Sequence, residues 1–193
     1  MLAFDLRGHG ASAGRMNRFG WQGTRDVGAA VAFLQARDEV KAIGGLGSSL
    51  GGEVLLGAAS AYPGIKAIAA DGATTRSLDE LLALPSERPL VRNFTARVMY
   101  AAVQILSGEN PPLPLLDSMI AAPATSYLLI AGGGNQREVA FNELFAATTP
   151  DQSRLWIAPE AAHTGAFGLY PEEYERRAIA FFDAELLGKL AAE

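Results

Sequence analysis

Residues 44–53 read GGLGSSLGGE and directly follow the apolar-leaning run VKAI at 40–43. Within them Gly47-Ser48-Ser49-Leu50-Gly51 fits G-x-S-x-G, a sharp strand-to-helix turn that lifts a serine hydroxyl clear of a sheet. Gly and Ser also mark ordinary loops, so the five residues do not decide the matter alone. Their flanks favour the turn. VKAIGGLG reads as a strand, and SLGGEVLLGAASAY at 49–62 reads as a helix closed by Pro63 and Gly64. Ser48 is then a small neighbour that lets the turn form.

Outward from this turn, short apolar runs alternate with helical patterns. MLAF at 1–4 reads as a strand ending at Asp5, and 22–37 as a helix with Val27, Ala30, Val31 and Leu34 on one face. IKAIAA at 65–70, YLLIA at 127–131 and RLWIA at 154–158 are further strand candidates, with helices expected over 137–148 and, after Pro171, over 172–187. Strands alternating with helices predict an α/β fold, a mostly parallel sheet with helices on both faces. Residues 72–125 break the rhythm with no convincing strand, a helical pattern LVRNFTARVMYAAVQIL and the proline-rich NPPLP. So long an insertion between core strands reads as a helical cap or lid. Within it Phe94, Met99, Tyr100 and Leu106 are candidates for an apolar acyl pocket, against plain core packing as the alternative.

Bulk composition narrows the function. With 193 residues, 49% hydrophobic and 19% charged, the chain has the balance of one ordinary globular domain, not of a disordered segment. A net charge of −5 leaves no nucleic-acid footprint. The absence of cysteine excludes disulfides and cysteine metal sites, and two histidines would force a zinc site onto carboxylates. No metal or cofactor is therefore expected. No apolar run approaches the roughly 18 residues that cross a bilayer, and Asp5 and Arg7 argue against a signal peptide, so the expected location is cytoplasmic.

A serine nucleophile needs a base to take its proton and an acid to orient that base. His163, in PEAAHTGAF after the last strand candidate, is the natural base; His9 precedes the serine and belongs to another motif. The acid is sought after YLLIA. Gly134 and Asn135 occupy the places where an Asp would be easiest to read, so Glu138 is the first carboxylate available and the preferred one. Glu143 lies a turn further on, and Asp71, directly after IKAIAA, is the other source. The backbone N–H of Leu50, opening the helix after Ser49, would help hold an oxyanion. A dinucleotide-binding reading of GGLGSSLGG fails, because the glycines are not a regular G-x-G-x-x-G and only Asp71 loosely matches the ribose-binding acid.

With these motifs in order, the sequence resembles the α/β-hydrolase superfamily, most closely bacterial serine hydrolases of the prolyl-oligopeptidase or serine-aminopeptidase type. LAFDLRGHGAS resembles their D-x-R-G-x-G-x-S stretch, GLGSSLGG their elbow, and PEAAHTGAFGLYPEEYERRAIAFFD their histidine loop and closing helix. The resemblance implies one domain over 1–193 with the cap at 72–125 inside it, Ser49 as nucleophile, His163 as base and Glu138 as acid. Asp5 and Arg7 would brace the loop around Gly8 and Gly10, and Ser12 would be a turn residue. It also implies a start at the family's fourth strand, with three strands and the loop carrying the second oxyanion donor lying upstream, and a membrane anchor in some full-length relatives. MLAFDL would then pair with AIGGLG or leave open edges that invite self-association. The expected activity is hydrolysis of a small ester, thioester or amide through an acyl-serine, esterase- or peptidase-like. The alternative is a fragment or pseudoenzyme whose elbow has lost its role, and the same triad would also serve acyl transfer or C–C hydrolysis.

Overall fold

Four short apolar segments become the strands of one parallel sheet in order: β1 (Ile43–Ser48), β2 (Ile65–Asp71), β3 (Ser126–Gly132) and β4 (Ser153–Ala158). The computed structural model describes residues 1–14, 18–84 and 89–188. Each strand pairs only with its neighbours in sequence, and the register sets Ser48 against Asp71 and Asp71 against Ile130. Parallel strands need crossovers, and here helices supply them. The helices are α1 (Gly23–Gln35), α2 (Leu50–Leu56), α3 (Leu78–Ala83), α4 (Pro89–Ser107), α5 (Leu115–Ile120), α6 (Gln136–Thr148), α7 (Ala166–Leu169) and α8 (Pro171–Leu187), of which α2 to α6 lie in the crossovers.

The two-residue period of the strands sorts the core into two layers. Ile68, Ala70, Tyr127 and Leu129 point to one face and pack with Val27 and Val31 of α1, Val54 of α2, Met119 of α5 and Phe141 of α6. Ala67, Ala69, Leu128 and Ile130 point to the other, against Tyr174 and Phe181 of α8. Burial on both faces explains why the strands read as continuous apolar runs and not as alternating ones.

Two expectations are corrected. Residues 1–6 form no strand. An extended run becomes a strand only beside a hydrogen-bonding neighbour, and this one is drawn over α1 instead: Arg7 gives its backbone N–H and Nε to Asp26 at 3.1 and 2.7 Å, and its Nη2 pairs with the same carboxylate. Asp5 accepts the Ala11 N–H and its carbonyl accepts the Ser12 hydroxyl, closing the loop around Gly8 and Gly10. MLAFDL therefore does not pair with β1, whose outer edge is unpaired among the described strands. The helix after the elbow is also shorter than its pattern, ending at Leu56 and continuing to residue 61 as turns.

The span 72–125 holds α3, α4 and α5 and, among its described residues, no strand. Leu115 and Met119 of α5 join the main core. The inner side of α4 makes its own cluster, Ala96, Tyr100 and Val103 with Trp21 and Leu81, and Tyr100 stacks on Phe19 at 5.4 Å between ring centres. The acyl-pocket reading of this segment is corrected too: Tyr100 is spent on that cluster, while Phe94, Met99 and Leu106 face solvent.

Candidate active site

Because the sheet is wholly parallel, every strand delivers its C-terminal end to the same rim, where open α/β sheets bind ligands. Ser49 follows β1, Asp71 ends β2, Glu138 comes shortly after β3, and His163 lies on the loop after β4.

Ser49 sits at the tightest point of that rim. Its φ of 50° and ψ of −118° lie outside the conformations an L-residue adopts freely. Two neighbours hold it there. The Ser49 N–H donates to the Asp71 carbonyl at 2.7 Å, and the Ser49 carbonyl accepts from Glu53 N at 3.1 Å as the first bond of α2. The turn also folds back on itself, so a β-carbon at Gly47 would run into the Gly51 carbonyl. The Leu50 N–H is the first of α2, one of the donors a helix leaves without an intrahelical partner.

The three side chains named from the sequence are brought into one line. Ser49 Oγ lies 2.9 Å from His163 Nε2, and His163 Nδ1 lies 2.6 Å from Glu138 Oε2. The histidine side chain is 45% exposed while the glutamate is fully buried, so the line runs from a wet end to a dry one. Glu138 is held on its other side as well: Oε1 accepts the Gly132 N–H at 2.6 Å, and Asn135 Nδ2 approaches Oε2 at 3.4 Å. A buried carboxylate with donors on both oxygens is the arrangement that makes burial of its charge tolerable. The imidazole is also fenced in: a β-carbon at Gly72, whose φ is +72°, would lie 3.1 Å from His163 Cε1 and 2.7 Å from Thr164 Cγ2.

Asp71 is close to this line but outside it. Its Oδ1 is buried without a hydrogen-bond partner, and Tyr174 of α8 lies near the same carboxyl. Burial pushes the Asp71 carboxyl up to about 6; the Tyr174 hydroxyl opposes the shift, nearby Glu138 adds to it and His163 opposes it. Tyr174 is raised in turn, by burial first and by Asp71. His9 bonds the Arg7 carbonyl at 3.0 Å, and Glu143 is exposed on α6.

Several supporting residues had no place in the sequence reading. Asn135 caps α6 by accepting the Glu138 N–H at 3.3 Å. Asn-x-x-Glu at 135–138 has the form of a capping box, a signal present in the sequence, except that the Glu138 side chain turns to His163 and Gly132 instead of back to Asn135. Under the elbow, Glu53 accepts both the backbone N–H and the hydroxyl of Thr74, and burial raises its pKa. Arg76, buried beside it, donates to the Gly20 carbonyl at 3.0 Å, and its own carbonyl accepts from Trp21 Nε1. Burial lowers the Arg76 pKa to about 10, against the pull of Glu53 and Glu80.

Among solved structures, the chain superposes on the Pyrococcus furiosus esterase Pf2001 with a TM-score of 0.68 and 24% identity, over 95% of this chain and 70% of the esterase. The chain has the α/β-hydrolase fold. A dienelactone hydrolase from Anabaena variabilis shares that fold at a TM-score of 0.59 and 21% identity, over 88% of this chain and 62% of the other. So does a carboxylesterase of Nitrososphaera gargensis at 0.65 and 15%, over 96% and 80%. No protein-family model matches the sequence, and no curated protein matches it significantly. Within the α/β-hydrolase fold the rim that carries Ser49, Glu138 and His163 is the usual ligand edge of an open parallel sheet.

Proposed function

We propose that the chain is a serine hydrolase that cleaves a small ester, thioester or amide through a covalent acyl-serine. The observation that carries this reading is the unbroken hydrogen-bonded line Ser49 Oγ, His163, Glu138. Ser49 Oγ attacks the substrate carbonyl carbon while His163 Nε2 takes the hydroxyl proton. Glu138 accepts the Nδ1 hydrogen, which fixes the tautomer with a free Nε2 and stabilises the imidazolium that forms. The Leu50 N–H faces the oxygen on which negative charge develops. His163 then gives its proton to the leaving alcohol, thiol or amine, and the carbonyl re-forms as an acyl-serine. In the second half a water attacks the ester carbon, loses its proton to His163, and Ser49 is restored with release of the acid. The substrate enters from the exposed side of His163, opposite the buried Glu138.

The test is intact-mass analysis after exposure to a fluorophosphonate, which phosphonylates only a serine with an assembled base. One adduct is expected on the intact chain and none on Ser49→Ala or His163→Ala. A folded chain that takes no adduct would overturn the reading in favour of a pseudoenzyme.

A further inference from the structure

Helix α4 is attached to the molecule by a narrow strip. Ala96, Tyr100 and Val103 are its buried residues. The opposite strip is apolar as well. Val91, Phe94, Val98, Ala101 and Ile105 recur in alternating steps of three and four, the a/d pattern of a coiled-coil seam. All five are exposed, Phe94 at 70% and Ile105 at 80%. A contiguous wet apolar strip of this length marks a surface that meets a partner.

Charge and the spacing of the seam say which partner. From Pro89 to Ser107 there is no carboxylate, and the charged residues are Arg92 and Arg97. Arg92 is turned back onto the Leu82 and Leu84 carbonyls, which leaves Arg97 on the rim. Helices that lie on lipid carry a polar face rich in Lys and Arg, and α4 does not. An apolar face centred on an a/d seam and widened by Leu90, Met99 and Leu106 instead fits a helix with the same face. In a chain of net charge −5, α4 lets two copies meet without opposing carboxylates from this helix.

We propose that the chain forms a two-fold dimer in which α4 packs antiparallel on α4 of a second copy. In the a-to-d register of an antiparallel pair, Phe94 meets the partner's Ile105 and Val98 meets the partner's Ala101. The two slim layers then lie side by side at the centre of the seam with a bulky layer at each end, and each contact occurs twice.

Sedimentation equilibrium of the intact chain over a micromolar concentration series tests this. The expected mass is that of two chains, dissociating on dilution. Phe94→Glu and Val98→Glu are expected to raise the dissociation constant by at least about thirtyfold while circular dichroism stays unchanged, since both side chains face solvent. If Phe94→Glu unfolds, Ile105→Glu reads the same surface. Leu46→Lys, on the open edge of β1, is expected to leave the dimer intact. A wild-type chain of single mass at every concentration would overturn the proposal. So would a dimer broken by Leu46→Lys but not by the α4 variants, which would place the contact at the sheet edge. A monomer that co-floats with phosphatidylcholine–phosphatidylglycerol vesicles would overturn it in favour of lipid.

Discussion

Strands β2 and β3 lead into carboxylates on the same rim, and the two are bonded in opposite ways. Glu138 has donors on both oxygens, from Gly132, Asn135 and His163. Asp71 keeps one oxygen buried and without a partner, and burial raises its pKa to about 6. Both positions lie within reach of the histidine loop. The difference shows that a strand end only offers a position, and the donors around it decide which acid is held against the imidazole. Glu138 reaches its donors because it stands one turn into α6, where a cap and the Gly132 turn point N–H groups at it.

The comparison can be broken by substitution, and the largest effect should come from Ser49, at the head of the line. Ser49→Ala is expected to lower hydrolysis of a p-nitrophenyl ester by on the order of 10⁵- to 10⁶-fold, read as initial rates at saturating ester. Glu138→Gln keeps the shape but removes the charge that orients His163, and a loss of about 10⁴-fold in kcat is expected. Asp71→Asn should cost only a few-fold. An equal loss in the two acid variants, or a double variant that falls far below Glu138→Gln, would mean that the acids share the role.

Asp71 also gives the contrast a pH signature. Its folded pKa near 6 is above the unfolded value of about 3.9, so the native state binds the extra proton between them. Its contribution to stability is therefore full below about pH 4 and lost as pH rises through 6. The thermal midpoint of Asp71→Asn relative to wild type should climb across that window and level off above it; a flat difference would sink the assignment. The smallest effect is expected at Asn135→Ala, which removes the α6 cap at a cost of about 1 kcal/mol in a denaturant titration, with a modest fall in kcat as Glu138 loosens.

Much of the sheet was legible because strands buried on both faces leave short, continuous apolar runs such as IKAIAA and YLLIA between helical patterns. MLAF has the same composition and is no strand, since pairing depends on a neighbour that local sequence does not contain, and Arg7 finds Asp26 instead. Ser49 and His163 were readable from motif and chain order, and the structure sets their side chains 2.9 Å apart. The preference for Glu138 over Asp71 came from position along the chain, whereas the bonding that separates them comes from Gly132, Asn135 and Tyr174, whose contributions exist only once the strands align. Core packing, the other reading of the cap residues, holds for Tyr100, while Phe94, Met99 and Leu106 are exposed; an apolar helix face looks the same in sequence whether it lines a cavity or the outside.

The hydrogen bond between Ser49 and His163 spans 114 positions of the chain, and the one between His163 and Glu138 spans 25. No local segment contains the line, and it exists only when β1, β3 and β4 are aligned in one sheet. If Ser49 is the nucleophile proposed above, it is thus a gauge of the native population. At a denaturant concentration where folded and unfolded chains interchange, the rate of phosphonylation should track the folded fraction, and a single covalent label would report the folding equilibrium of the whole sheet.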